Sequence, residues 1–552
     1  MSDIVLLDKV LEAKKDEYPA SYDDGEVFEY FVVDTLLRNY GLSYDQLEDG
    51  IVDGANDGGI DALYVFVNRT LVTDDFDYSL YKGDIKIECH VFQAKRKDSF
   101  EEAVVNSLHT SLPKFFDNEV SSRELKKTLN NSVVSKRELF SECLSKFATK
   151  FPSASINIHY ACRGVSPSEE MKQKASDLGK LVGQKLSIAQ TFFEFYSAKD
   201  LYKHAKQQAT VTLSIPVYGS PLNVDNGFVA LVGLEDYFDF IADGGQLLER
   251  LFEFNIRDYE GGVSVNKDMK ETLADKTGEI DFWWLNNGVT IIAEEAKNLN
   301  NSLVVTNPLI VNGLQTSNEI FNANPKEDDR KLLVRVIDTE DEKVRDKIIK
   351  ATNSQTKIKE SSLRATDELQ RKIEDYLVGE SIFYDRRKNY YKNKGKPAKQ
   401  IIGIDRLAQC AYSVVARRPD VARGRPGNII RDDDLYTKVF SSGHPLGIYA
   451  TCFRLHYVVA QHFHSVRKTV DSLYRNNLRF HTMMVLSWEL CGDKDIPHKK
   501  LADLDLSLAS TDVVESVFNW LCELFDEFGA EDKVAKDLPF VNEIISKWTK
   551  LT

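Results

Sequence analysis

The stretch IVDGANDGGIDALYVFVN, residues 51–68, joins a glycine-rich turn to a run of β-branched and aromatic residues. This composition predicts a turn that leads into a strand from about residue 60 to residue 67. Residues 85–97, IKIECHVFQAKRK, predict a second and longer strand. Asp61 opens the first strand. On the second, Gln93 and Lys95 are two residues apart, so both project from the same face. If the two strands pair, that face holds an aspartate, an amide and a lysine together.

The segments around these strands predict an α/β domain. Apolar residues recur at helical spacing in residues 25–40, and further strands are predicted near 154–164 and 190–201, on either side of a helix at 167–183. Such alternation indicates a sheet covered by helices, and we assign it to residues 1–210. A turn-rich segment follows. We expect a mixed α+β central domain over residues 215–405 and a mostly α-helical region over residues 406–552.

The three polar residues suit the hydrolysis of a phosphodiester bond. This reaction needs a divalent metal, oxygen ligands that hold it, and a group that positions the attacking water. We predict that Asp61 and Gln93 bind Mg²⁺, with Mn²⁺ as the alternative, and that Lys95 assists the water. Gln93 is neutral, so the site needs another carboxylate. Glu29 lies beside apolar neighbours on its predicted helix and is our candidate, with Glu26 as the second choice.

The GGID segment followed by QAK resembles the PD-(D/E)XK nuclease superfamily, and most closely its Mrr-type branch with a Q-x-K variant. The resemblance implies a restriction-endonuclease-like fold for residues 1–210. It also implies that Asp61 is a metal ligand, that Gln93 takes the position of the usual acid, and that Lys95 activates water or stabilises the phosphate. The long gap between Asp61 and Gln93 departs from the family pattern, so strand pairing remains an inference at this point.

Four motifs occur in order in the middle of the chain: WWLNNGVTIIAEE, NPLIVNGLQTSNEIFNA, IIKATNSQTKIKESSLRATDELQRKI and FYDRRKNYY. Together they resemble the AIPR family, the abortive infection phage resistance proteins, over roughly residues 225–430. This resemblance implies a role in defence against phage. Amides cluster in these motifs, where they could read base edges or simply bond the backbone in turns; they are Asn286, Asn287, Asn312, Gln315, Asn353 and Gln355.

The formal net charge of −15 opposes binding to phosphates, so a nucleic-acid enzyme needs a local basic surface. Residues 386–399 are rich in lysine and arginine and contain no acid. We predict that this stretch follows phosphates while its tyrosines stack on bases, and that a second basic cluster assists. A solvated loop is the alternative for either. The predicted contacts are Arg386, Arg387, Lys388, Tyr390, Tyr391, Lys392, Arg417 and Arg418.

Other features of the sequence bear on disulfides, on metal binding by histidines and on cellular location. The seven cysteines are scattered, which predicts reduced thiols rather than disulfides or a zinc knuckle. His462 and His464 are two residues apart on a predicted helix that also contains His456, and this spacing argues against a shared metal. No signal segment or membrane-spanning run is recognised, which predicts a cytoplasmic protein without a membrane partner.

These observations lead us to expect a bacterial antiphage protein that acts as a metal-dependent endonuclease, with DNA preferred over RNA as substrate. The central domain would recognise nucleic acid or a phage-derived trigger. One alternative is a non-catalytic nucleic-acid sensor with a degenerate nuclease fold, and another is a toxin-like ribonuclease. Association into a homo-oligomer is compatible with the sequence.

Overall fold

The computed structural model describes residues 3–52, 56–81, 85–206, 212–243, 246–252, 269, 271–274, 280–353, 368–386 and 388–551. The amino-terminal part contains a five-stranded sheet in the order β2-β1-β3-β4-β5. Strand β1 is antiparallel to β2 and β3, whereas β3, β4 and β5 are parallel. The strands are β1 (Ala62–Val67), β2 (Thr70–Leu71), β3 (Lys86–Lys95), β4 (Ser153–Cys162) and β5 (Ala189–Tyr196).

Helices cover both faces of this sheet, which confirms the predicted mixture of helices and sheet in this part of the chain. Helices α1, α2 and α8 bury Leu7, Phe28 and Leu201 on one face. Helices α4 and α6 bury Leu108 and Phe140 on the other. The helices are α1 (Asp3–Lys15), α2 (Asp24–Leu36), α3 (Tyr44–Gly50), α4 (Glu102–Phe115), α5 (Ser122–Leu125), α6 (Asn131–Lys146), α7 (Glu169–Lys185) and α8 (Ala198–Ala205).

Helix α2 begins one residue before the segment predicted from apolar spacing. Asp23 caps it: the carboxylate accepts from the backbone N–H of Glu26, and the Glu26 side chain accepts from the N–H of Asp23. This reciprocal pair satisfies two of the amides that a helix start leaves unpaired. Phe28, Phe31 and Val32 then pack on the sheet.

The central part contains a second five-stranded sheet in the order β14-β11-β15-β8-β7, and a three-stranded sheet in the order β12-β13-β6. Val232, Val334 and Ile320 belong to the core beneath one face of the larger sheet. The strands are β6 (Thr212–Pro216), β7 (Tyr218–Val224), β8 (Gly227–Gly233), β9 (Ala242–Asp243), β10 (Gln246–Leu247), β11 (Val289–Ala293), β12 (Glu295–Leu299), β13 (Ser302–Thr306), β14 (Leu309–Asn312) and β15 (Lys331–Asp338). The helices are Leu234–Ile241, Phe282–Leu285, Leu314–Ala323 and Glu342–Asn353.

The carboxyl-terminal part is a helical body around Tyr412, Tyr449 and Trp488, as predicted. Its core also takes in Ile373 and Tyr384, so packing assigns residues 368–405 to this body, whereas the sequence placed them in the central domain. Two short parallel strands lie at its edge, β16 (Phe383–Asp385) and β17 (Ile401–Gly403). The helices are Glu368–Gly379, Tyr390–Asn393, Ile404–Val414, Pro419–Gly424, Pro426–Arg431, Asp433–Val439, Gly447–Ser465, Ser472–Cys491, His498–Ala502, Thr511–Glu527, Asp532–Ala535 and Leu538–Lys547.

All seven cysteines carry free thiols. Five of them are buried, where they act as small apolar side chains. A membrane-crossing helix is not found in the part of the chain that the structure describes.

Candidate functional site

Asp61 lies beside Gln93 because β1 and β3 pair. The register sets Ala62 opposite Phe92, and the backbone N–H of Asp61 donates to the carbonyl of Phe92 at 2.8 Å. The inferred strand pairing is therefore present despite the long gap in sequence. The short hairpin strand β2 and the insert after it account for that gap. Alternation along the two strands places Asp61, Gln93 and Lys95 on the sheet face that α4 covers.

The three side chains contact one another directly. The amide nitrogen of Gln93 donates to Oδ2 of Asp61, and the backbone N–H of Ala94 donates to the same oxygen at 2.7 Å. The Lys95 ammonium lies 3.5 Å from Oδ1 of Asp61. Asp61 is 7% exposed and Gln93 is 2% exposed, whereas the Lys95 side chain is about one-third exposed. The cluster is thus buried at its acid and open to solvent at its lysine.

Burial raises the pKa of Asp61 to about 6. The Lys95 ammonium and the N–H of Ala94 oppose this shift, and the negative charge of nearby Asp57 adds to it. A buried carboxylate with a raised pKa lacks full compensation for its lost hydration. A cation at this point would supply that compensation.

The glycine turn brings backbone close to the amide of Gln93. Gly58 and Gly59 have φ of 70° and 81°, a left-handed conformation that favours glycine. A Cβ on Gly59 would lie 3.4 Å from Oε1 of Gln93 and 3.0 Å from Oγ of Ser107. Asp57 supports the turn by accepting from the N–H of Gly59 at 2.7 Å. Glycine at this position therefore keeps a small space open beside Gln93.

Two residues near the site escaped the sequence analysis. Ser107 on α4 borders the same space, and Ser111, one turn later, donates to the carbonyl of Gly58 at 2.6 Å. The signal was present as two serines four residues apart, which share one helix face. On a polar helix surface such a pair is indistinguishable from ordinary solvated residues. Asp57, in the glycine turn, is the acid whose charge acts on Asp61.

Glu29 is half-buried on α2. That helix packs with Phe28 and Phe31 against Phe92, on the sheet face opposite to that of Asp61. The structure therefore does not gather Glu29 with the other three residues on one face, and its role as a metal ligand stays a prediction. Glu26 is engaged elsewhere, in the helix cap and in an ion pair with Arg467.

The basic stretch after residue 385 does not form the predicted free surface. Arg386 is buried, and its Nε lies 2.7 Å from a carboxylate oxygen of Glu374. The Lys392 ammonium lies 2.6 Å from Asp34 of helix α2. For these two residues the prediction of a phosphate contact is wrong, because each cation already neutralises an acid. Lys392 instead joins the helical body to the amino-terminal domain.

The other residues of this basic stretch near Lys392 differ in their exposure to solvent. Lys388 is exposed, and Tyr390 and Tyr391 are half-buried with ring centroids 4.9 Å apart. Tyr391 packs on Phe383, with ring centroids 5.2 Å apart, which makes it a packing residue rather than a free stacking surface. Arg387 lies outside the described residues.

The second basic cluster is also paired. Arg417 lies 2.5 Å from Asp495, and Arg418 lies 2.7 Å from Asp420. Both guanidinium groups therefore sit beside carboxylates of the helical body. The expected second phosphate-binding surface is not present as free charge at these two residues.

Residues 252–525 match the family model described as AIPR protein. The match supports the AIPR family for this part of the chain, which we call the AIPR region. No curated protein and no solved structure matches the chain. The AIPR region runs from the central sheet far into the helical body, further than the segment of about 225–430 that the motifs indicated. The amino-terminal domain with Asp61 lies outside it.

Within the AIPR region, two of the predicted recognition amides, Asn286 and Asn287, are neighbours just before β11. Asn286 is used structurally: its Nδ2 donates to Thr316 Oγ1 at 3.1 Å, and its Oδ1 accepts from the N–H of Gly288 at 2.8 Å. Asn287 is exposed, and its backbone carbonyl accepts from Arg335.

Three of the remaining predicted amides lie within the described residues. Asn312 ends β14 opposite Thr290, and Gln315 lies in the first turn of the following helix. Both are half-buried. Asn353 ends the helix Glu342–Asn353, and Gln355 lies outside the described residues.

A third group of polar side chains lies between α3 and the helical body. His456 in the AIPR region approaches Asp45 and Glu48, with ligand atoms of the three within 4.8 Å of one another. The carboxylates are already paired, since Arg406 lies 3.6 Å from Asp45 and Arg479 lies 3.1 Å from Glu48. These ion pairs account for the buried charge, and the group joins the two domains.

Proposed function

We propose that this chain is an antiphage protein that hydrolyses phosphodiester bonds through its amino-terminal domain. The AIPR region suggests a role in abortive infection. The observation that carries the nuclease proposal is the contact of Asp61 with Gln93 and Lys95 at the end of one sheet face. An acid, an oxygen donor and a lysine at one point are the groups that metal-assisted hydrolysis requires.

The donor set fits a hard divalent cation. Asp61 offers a carboxylate that burial leaves under-compensated, and Gln93 offers an amide oxygen beside the space that Gly59 keeps open. Asp57 lies close enough to add negative charge. Oxygen donors of this kind suit Mg²⁺, with Mn²⁺ as the alternative. When bound, the metal would neutralise charge that develops on the phosphate.

Lys95 is the residue that would stabilise the phosphate or position the attacking water. Its ammonium is held 3.5 Å from Asp61 and is reachable from solvent, so it can donate to a phosphate oxygen or to the attacking water. Asp61 orients this ammonium through their ion pair. The N–H of Ala94 in turn holds Asp61 in place at the strand end. A rigid strand positions such groups more precisely than a loop.

A non-catalytic sensor is the second candidate. Gln93 stands where an acid is expected, and its nitrogen satisfies Asp61 without any metal. A protein of this kind would bind nucleic acid and leave it intact. Lys95 favours the enzyme, because binding alone does not require a lysine in contact with the buried acid.

The deciding experiment is incubation of the full chain with supercoiled plasmid and with single-stranded RNA, in Mg²⁺, Mn²⁺ or chelator. Lys95→Ala and Asp61→Asn are compared with Lys97→Ala, a matched control because Lys97 is exposed just beyond the end of β3. We expect metal-dependent cutting that the first two variants lose and the control retains. Cutting of RNA alone would favour the toxin-like ribonuclease. Equal cutting by Lys95→Ala and wild type would refute the assigned site.

A further inference from the structure

One face of the larger central sheet is covered by the core around Val232 and Val334, and on the other face the helix Glu342–Asn353 covers the part around Ile292 and Val311. Along β15, Leu332 and Val334 are fully buried beneath helices, whereas Leu333 is half-buried and Arg335 is exposed. On the neighbouring strand β8, Leu231 is likewise half-buried and pairs with Leu333. The outer face at these strands is therefore open to solvent.

Large aromatic side chains border this open face. Trp284 is 70% exposed and Tyr218 is 67% exposed. The rings of Trp283 and Trp284 lie against each other with centroids 4.6 Å apart. Asp281 ties the short tryptophan helix to β15, because its Oδ1 accepts from the N–H of Lys331 at 2.6 Å. Exposed aromatics held at defined places indicate a binding surface.

Two cations of β15 lie on this face. The Lys331 ammonium is 4.7 Å from the centroid of the Tyr218 ring and 3.5 Å from Oδ2 of Asp281. The Arg335 guanidinium donates to the carbonyl of Asn287 at 3.0 Å and to Thr290 Oγ1 at 3.4 Å. Both contacts of Arg335 are to neutral oxygens, so its charge is held in position without being neutralised by them. This differs from the paired arginines of the helical body.

We propose that this surface, which we call the aromatic platform, binds single-stranded nucleic acid. It consists of Tyr218, Trp284, Asn287, Lys331 and Arg335. The rings provide stacking faces for bases, and Arg335 contacts a phosphate, whereas Lys331 shares its charge with Asp281. The exposed amide of Asn287 can bond a base edge. This proposal rests on the proposed function for its ligand class, although binding here requires neither metal nor cleavage.

Single strands are favoured over duplex because the recognition is by ring faces. In a duplex the base faces are stacked on each other and cannot reach a protein aromatic, whereas a single strand exposes them. The fixed charge of Arg335 beside the rings favours a polyanion over an apolar protein partner. The aromatic platform also lies on a different domain from Asp61, so it would hold a strand rather than cut it.

The test measures binding of the full chain to fluorescently labelled single-stranded oligo-dT, oligo-U and a duplex, by anisotropy in the presence of chelator. We expect single strands to bind in preference to the duplex, and Trp284→Ala and Arg335→Gln each to weaken binding at least fivefold. Phe151→Ala is the control, because Phe151 is 90% exposed and precedes β4 at the end of the sheet remote from Asp61. Its affinity should equal that of wild type.

Failure of wild type to bind any single strand would overturn the proposal, and so would wild-type affinity in both platform variants. A change in oligomeric mass on Trp284→Ala, with nucleic-acid affinity intact, would assign the surface to a protein partner instead. Intact binding without any metal-dependent cleavage would refute the proposed nuclease and leave the aromatic platform standing. Metal-dependent cleavage by platform variants that also keep normal nucleic-acid affinity would refute the aromatic platform and leave the proposed nuclease standing.

Discussion

Replacement of Gly59 by alanine isolates the contribution of the glycine turn to the candidate site. The backbone at Gly59 has φ of 81°, which costs an alanine about 1–2 kcal/mol. The loss of chain freedom in the unfolded state returns about 0.4–1 kcal/mol, so the net loss of stability is about 1 kcal/mol. The new methyl would also lie 3.0 Å from Ser107 Oγ and 3.4 Å from Gln93 Oε1. Ser107 must move by a few tenths of an ångström, and the methyl fills the space beside Gln93 at the limit of van der Waals contact.

This displacement should lower activity far more than stability. A misplacement of about 1 Å can cost about a hundredfold in rate, so we expect roughly a tenfold loss of metal-dependent cleavage for the smaller shift. Urea unfolding measures the stability change, and plasmid or RNA cleavage at saturating Mg²⁺ measures the rate. Metal titration by calorimetry shows whether Gln93 still contributes.

Gly492→Ala is the matched control. Gly492 has φ of 74°, and a Cβ there meets no atom within 4 Å, so the two substitutions share the backbone cost and differ in the contact with the site. We expect similar losses of stability from both and a loss of cleavage from Gly59→Ala alone. Equal cleavage rates in the two variants would refute the reasoning, because the space beside Gln93 would then have no function.

Three further predictions concern buried charge. Burial lowers the pKa of His90 from 6.5 to about 3, so below pH 6.5 the unfolded chain binds a proton that the native state does not, and the free energy of unfolding falls. At pH 5 this loss is about 2 kcal/mol. His90→Phe should remove this contribution, as measured by urea unfolding at pH 7 and pH 5. Arg406→Gln should destabilise the chain by about 1–3 kcal/mol, because it removes the buried cation that pairs with half-buried Asp45 and with Asp49, and the absence of any measurable loss in urea would contradict this. Arg386→Gln should destabilise through unpaired Glu374 while the salt dependence of nucleic-acid binding stays unchanged; a shallower salt slope would instead restore the predicted phosphate contact.

The centre of the candidate site could be predicted because its logic is local. A period of two along β3 puts Gln93 and Lys95 on one face, whatever the rest of the chain does. The glycines before β1 indicated a turn whose backbone lies close to neighbouring side chains. Only the pairing of Asp61 with Gln93 needed the structure, since sequence cannot show which strands are neighbours.

Glu29 shows where the helix pattern fails. Apolar neighbours on α2 correctly indicated a buried helix face, but a sheet has two faces and the pattern does not say which one the helix covers. Phe28 and Phe31 pack on Phe92, and Asp61 lies on the other face of the sheet. Ser107 was missed for the complementary reason, since it lies on the correct face and carries no distinctive chemistry.

The basic runs failed because a charge run does not reveal its counter-ions. Arg423 contacts Asp74, and Lys392 contacts Asp34, in each case more than 300 residues away in sequence. A local reading sees cations without acids, whereas the fold supplies the acids from another domain. Some carboxylates of the amino-terminal domain thus form ion pairs with cations of the helical body.

This pairing changes how an acidic protein could meet a nucleic acid. Arginines paired with carboxylates in the domain interface cannot release counter-ions from a phosphate backbone without first breaking those pairs. At the aromatic platform, Lys331 is paired with Asp281, whereas the hydrogen bonds of Arg335 are to neutral oxygens. Affinity would then depend on stacking more than on charge. Because stacking resists salt, the single-strand affinity of the aromatic platform should fall less steeply with salt than that of a protein that binds phosphates through six or more contacts.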